Sequence, residues 1–291
     1  MSIIEVLPIR LSIVARNYFL SKDTFMNRIS FNGSNGVGQQ AGYRADWAAS
    51  VDAVNVHYQP LATFPARFEA FLTGIKALGF RAVDVWTAGQ LNWAWATPEH
   101  NRIAHELLVK HGLSVTSLGG EFGETVEEFE RACQMAVTLE TRLLSGTLPL
   151  MFTDRAHVVA RLKAYDLRLA IENHPERTPA EMLEKIGDGA GGRIGTCVDT
   201  GWYATQGYNP ALAIHELRDH LLHIHLKNVL PGEDHLNTGY DHGEVDICAC
   251  LTALQDIDYE GDISVEDHAT DHDPTEEIEQ GRALVNRYFG T

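Results

Sequence analysis

The sequence predicts an α/β fold, a (β/α)8 TIM barrel with an N-terminal extension, and three observations carry that prediction. From about residue 50 onward, short β-branched runs alternate with longer segments of helical period. There are eight such runs, the number that closes a parallel sheet into a barrel. The helical segments also open on capping residues. A length of 291 residues with 44% apolar composition suits either one barrel or two ordinary domains, and does not by itself choose between them.

Residues 1 to 49 do not share the alternation. The stretch SFNGSNGVGQQAGYRADW is rich in glycine, asparagine and serine and reads as loop. Residues 1–49 are therefore expected to form an extension outside the barrel or over its mouth, and residues 50–291 the catalytic barrel domain. The expected strands are DAVNVHY (52–58), RAVDVWT (81–87), LSVTSLGG (113–120), RLLSGTL (142–148), LRLAIENH (167–174), RIGTCVDT (193–200), LLHIHLKN (221–228) and DISVEDH (262–268). Between them, FPARFEAFLTGIKALG and TVEEFERACQMAVTLE place apolar residues at three- and four-residue intervals. Thr125 with Glu128 has the form of a capping box. Thr178-Pro179, Asn209-Pro210 and Asp273-Pro274 put a cap before a proline at the first helical position.

The formal charge of −17 is spread along the chain and repels phosphodiester backbones, so nucleic acid is not expected as a partner. The first twenty residues are interrupted by Glu5, Pro8, Arg10 and Arg16 and lack a small-residue cleavage site, which argues against a signal peptide. No apolar run reaches the roughly 18 residues of a membrane span. These features point to a cytoplasmic protein with no membrane partner. Cys133, Cys197, Cys248 and Cys250 are too few and too unevenly spaced for a disulfide framework, and read as buried free thiols.

In such a barrel the reactive groups come from the carboxyl ends of the strands. Alternation along each run places Glu172, Asp199, His225 and Glu266 at equivalent positions on strands five to eight. Taken singly, each acid is a helix cap or a rim residue and His225 a hydrogen-bonded histidine. Four at matching places, with the first two spacings of 27 and 26 residues each equal to one βα unit, argue for one site. Three carboxylates and an imidazole suit one divalent metal, Mn²⁺ first, with Mg²⁺, Co²⁺ or Zn²⁺ as alternatives. On the same faces follow His174, read as a substrate-facing acid or base; Lys227, which could hold an oxyanion; His268; and the deeper, structural His223. Trp86, Trp93 and Trp95 in WTAGQLNWAW, with Trp202, are expected to form an aromatic wall for substrate.

ENHPE, CVDTGW, HIHLKN and SVED together resemble the signature segments of the xylose-isomerase-like TIM barrels, which include ketose 3-epimerases, inosose isomerases and dehydratases, and an endonuclease IV branch. The resemblance covers residues 50 to 290 and is most specific from 167 to 268. It implies metal binding by Glu172, Asp199, His225 and Glu266, and proton exchange with substrate by Glu172 and Glu266. TGYDHGEVDI resembles the glycine-containing turn that precedes the last helix in these relatives. Two segments depart from the pattern: Asp199-Thr200-Gly201-Trp202 has tryptophan where many relatives have histidine, and His225-Leu226-Lys227-Asn228 has asparagine where they have aspartate.

The resemblance implies a metal-dependent isomerase or epimerase of a keto sugar or keto polyol. The alternative is a lyase or dehydratase using the same enolate, such as one eliminating from a 3-keto-glycoside in the manner of C-glycoside deglycosidases. A metal-binding subunit without catalysis and a nuclease rank lower, the last because extra histidine ligands are missing. The expected partners are a small-molecule carbohydrate and a second copy in a homo-oligomer, with a hetero-oligomer as the alternative.

Overall fold

The computed structural model describes residues 28–232 and 234–290. Eight parallel strands close in sequential order into a barrel. They are β1 (Ile29–Asn32), β2 (Ala82–Trp86), β3 (Ser114–Glu121), β4 (Leu143–Thr147), β5 (Arg168–Glu172), β6 (Ile194–Asp199), β7 (Leu221–Leu226) and β8 (Ile263–Val265). Around them lie α1 (Trp47–Tyr58), α2 (Phe64–Ala77), α3 (Pro98–His111), α4 (Val126–Thr138), α5 (Leu150–Thr153), α6 (Arg155–Ala164), α7 (Pro179–Ile186), α8 (Thr200–Thr205), α9 (Pro210–Leu217), α10 (Ile247–Asp256) and α11 (Thr275–Phe289). One continuous apolar core fills the space between sheet and helices.

The expected strand at 52–58 is a correction, because DAVNVHY is the second half of helix α1. Val54 and Val56 alternate as in a strand, yet Val56 is 71% exposed. The buried positions are Ser50, Val54 and Tyr58, four residues apart along one helical face, and the Asp46 carboxylate caps the helix by accepting from Ala49 N. The first strand is instead ISFN, inside the segment expected to lie outside the barrel. It pairs with both β2 and β8 and so closes the sheet. Four residues followed by GSNG are too few to show a period. Residues 1–27 of the expected extension lie outside the described residues.

The other seven expected strands are present, and three of the four expected caps form as read. Thr125 with Glu128 and Thr178 with Glu181 are reciprocal capping boxes, and Asn209 caps α9. At α11 the expected placement is off by one: Pro274 occupies the N-cap position, and Asp273 before it accepts from Thr275 N and Oγ1. TGYDHGEVDI leads into α10, between β7 and β8, not into the last helix. Among the cysteines, all free, Cys248 is exposed while Cys133, Cys197 and Cys250 are buried. No helix of the described residues is long and apolar enough to cross a membrane.

Candidate metal centre

The mouth of the barrel is fastened strand by strand where the candidate ligands sit. Asn173, after β5, accepts from Asp199 N at 2.8 Å and donates to Asp199 O at 3.0 Å, clamping β5 to β6. Thr200 Oγ1, after β6, donates to Lys227 O at 2.7 Å and accepts from Lys227 N at 2.9 Å, clamping β6 to β7. The buried Tyr240 hydroxyl lies 2.8 Å from Leu226 O and 3.1 Å from Glu266 O, bridging β7 and β8. Asn35 donates to Val265 O and accepts from Asp267 N, tying β8 to the turn after β1. Side chain to backbone bonds of this kind satisfy carbonyls and amides that the strand ends leave open.

Within this rim, one donor atom from each of Glu172, Asp199, His225 and Glu266 lies within 4.8 Å of the others. His225 Nδ1 is 2.9 Å from Glu172 Oε1 and 3.0 Å from Glu266 Oε2. Asp199 is both a cap and a candidate ligand: Oδ1 accepts from Trp202 N at 2.9 Å, while Oδ2 is buried without a hydrogen-bond donor. A buried orphan oxygen beside two more carboxylates and an imidazole fits a hard divalent cation.

The two glutamates differ. Glu266 is held by Asn32 Nδ2 at 2.9 Å, Lys227 Nζ at 3.1 Å and His268 Nε2 at 2.8 Å, as well as by His225. Against the effect of burial, Lys227 and His225 keep its carboxyl well below the usual range. Glu172 meets only His225 among these groups, and its side chain is 17% exposed toward the cleft. Burial pushes Asp199 up to about 7, a rise that Lys227 opposes. Burial disfavours charge on His225 and Lys227, but the surrounding anionic groups raise both. With no cation in the ring, these carboxylates favour the charged forms of His225 and Lys227.

The cleft above the ring has a volume of about 690 Å³. His174, Trp86, Trp202 and His268 line it. His174 stands edge-on to Trp202, ring centroids 4.2 Å apart. Lys227 is fully buried beneath the cleft, contacting Glu266 and His268 and lying 3.8 Å from Asp199 Oδ2. Trp93 is a correction, for it lies outside the cleft lining: its indole donates to Glu121 O and its ring faces Arg131. Trp95 likewise turns away to Asn55 and His100. Trp47, in the segment expected as an extension, completes the wall instead, 4.9 Å from the His268 ring.

Asn228, where relatives often carry aspartate, organises the loop after β7. Its Oδ1 accepts from Val229 N and Val245 N, and its Nδ2 donates to Tyr240 O and Val245 O. A carboxylate could not make the two donations. Gly243 passes so close that a Cβ there would stand 2.0 Å from Asn228 Oδ1. The loop lays His235 flat on Trp202, centroids 3.6 Å apart. Burial, aided by the positive charge of Lys227, lowers the His235 pKa from 6.5 to about 2. A folded-state pKa below the unfolded one means that stability is full above pH 6.5 and falls as pH drops toward 2. Local opening of residues 234–238 below pH 6.5 is the expected result, read as a falling protection factor at the Thr238 amide, which donates to Asn228 O, and His235→Phe should remove that pH dependence. An unchanged protection factor between pH 7 and 5 would refute it.

A family profile described as xylose isomerase-like TIM barrel matches residues 72–288. The chain belongs to this family. Among solved structures, an L-ribulose 3-epimerase superimposes with a TM-score of 0.67 at 15% identity, covering 91% of this chain and 95% of that one. The IOLI protein, solved with a bound zinc atom, gives 0.64 at 13% identity over 91% and 100%. A 3-keto-D-glucoside 4-epimerase from E. coli gives 0.58 at 16% identity over 90% and 99%. At these identities the likeness establishes the shared fold. No curated protein sequence matches the chain.

Proposed function

We propose that the protein is a divalent-metal-dependent isomerase or epimerase of a keto sugar or keto polyol. The observation that carries this is the convergence of Glu172, Asp199, His225 and Glu266 on one point at the floor of an aromatic-walled cleft. A divalent ion held by these four side chains, Mn²⁺ foremost, would polarise a carbonyl oxygen and lower the cost of removing the adjacent C–H proton. Glu172, with one partner and an open side to the cleft, takes that proton. Glu266, kept ionised by several donors, is the weaker base, and with its partner His268 it lies on the path by which a proton is returned from the other side of the substrate. Lys227 fixes Glu266 in place, and His174 faces the substrate from the rim of the cleft. Return to the opposite face epimerises, and return to the neighbouring carbon isomerises.

A second reading is elimination from a 3-keto-glycoside by the same proton removal. It is favoured by the walls of Trp47, Trp86 and Trp202 and by a volume that falls within the roughly 300–1,000 Å³ of pockets for larger ligands. Elemental analysis of the purified protein, followed by a keto-sugar panel in D₂O, tests both. One equivalent of metal with deuterium entering beside the carbonyl supports the enolising centre, and release of an aglycone identifies the lyase. Protein that binds no Mn²⁺ and exchanges no deuterium would sink both readings.

A further inference from the structure

Beneath the ring lies a carboxylate that its sequence context conceals. Asp84, in the middle of β2, is completely buried. Its Oδ2 lies 3.1 Å from Nε2 of His225 and 3.1 Å from Nε2 of His223. His223 Nε2 also lies 3.3 Å from Ser117 Oγ. Space for the carboxylate is left by Gly119, where a Cβ would come within 3.1 Å of Asp84 Oδ1. The β2–β3 pairing slips a residue between Val83 and Asp84, and the β6–β7 pairing slips one between Thr196 and Cys197, opposite His223. Both slips are of the kind that re-aims side chains beside a site.

Both nitrogens of His225 face carboxylates, but Nδ1 faces the two glutamates of the ring, whereas Nε2 faces Asp84 alone, beneath the ring. A nitrogen that ligates a cation must carry no proton, and a neutral imidazole has one N–H to place. We propose that Asp84 is a positioning residue that holds the proton of His225 on Nε2 and thereby presents Nδ1 as the ring's fourth donor. His223, donating to the same oxygen, keeps the carboxylate aimed. The inference rests on the reading of the ring as a metal centre and adds to it a residue that touches neither ion nor substrate.

The test uses the full chain. In ¹⁵N-histidine-labelled wild type loaded with Zn²⁺, a diamagnetic probe, His225 should show a metal-shifted Nδ1 and a protonated Nε2; the opposite pattern overturns the proposal, and this measurement needs no variant. Mn²⁺ affinity, measured by competition with a chelator, should fall about 10- to 100-fold in Asp84→Ala. Asp84→Asn, which keeps an accepting oxygen, should recover part of that loss, while Ser117→Ala, which touches only His223, should stay within about twofold of wild type. A folded Asp84→Ala protein with wild-type affinity would refute the role of Asp84 and leave the metal centre standing. Wild type that binds no cation would remove both. Two equivalents in wild type, one of them lost in Asp84→Ala, would instead make Asp84, His223 and His225 a second ion site and overturn the positioning role.

Discussion

Glu172→Gln is expected to abolish proton exchange with a keto-sugar substrate, by a factor of about 10² to 10⁴, even at Mn²⁺ concentrations that saturate the variant. The amide cannot accept the proton, whereas the surrounding scaffold is unaffected: the Asn173 clamp is made by the next residue and does not involve the Glu172 side chain. Glu172→Asp keeps the charge and should lose less. The measurement is the rate of deuterium incorporation by NMR, taken beside the bound-metal stoichiometry so that loss of ligand and loss of base are separated. A Glu172→Gln protein that holds its metal and exchanges at the wild-type rate would exclude Glu172 as the base.

On the proposed reading of the ring as a metal centre, treatment with a chelator should lower the melting temperature as well as stop turnover. Three carboxylates share the ring with only His225 and Lys227 as counter-charges, and Asp199 Oδ2 has no donor. An ion present at a hundred times its Kd adds about 2.7 kcal/mol by mass action. For a chain of 291 residues that corresponds to about 4 °C. Differential scanning calorimetry across a Mn²⁺ titration checks it. A melting temperature independent of Mn²⁺, in protein whose stoichiometry is one, would mean that the ion binds the unfolded chain as well as the folded one.

Much of the barrel was legible in the sequence because seven strands are runs of β-branched residues bounded by capped helices, and both signals are local. The first strand was not. ISFN is short, and its strand character comes from pairing with β2 and β8, which lie 50 and more than 200 residues away. The ring of Glu172, Asp199, His225 and Glu266 could be read because strand alternation and unit spacing repeat from β5 to β8. Asp84 escaped because one acid in RAVDVWT resembles any polar interruption; its signal was a charge at an inward position of a strand whose neighbours are all apolar. Trp93 and Trp95 misled because proximity in a loop does not say which way an indole turns, whereas Trp47 was overlooked along with the strand that precedes it.

The clamps from Asn173, Thr200, Tyr240 and Asn35 have a bearing on ion choice. They fix the strand ends from which the four donors project, so the opening between those donors cannot easily widen. Ca²⁺ requires six to eight oxygens at about 2.3–2.6 Å in a yielding cage, whereas smaller ions accept about 2.0–2.1 Å. A rim stapled in this way should discriminate by ionic radius, with Ca²⁺ competing poorly against Mn²⁺ in a direct displacement titration, and Asn173→Ala should narrow the gap between them.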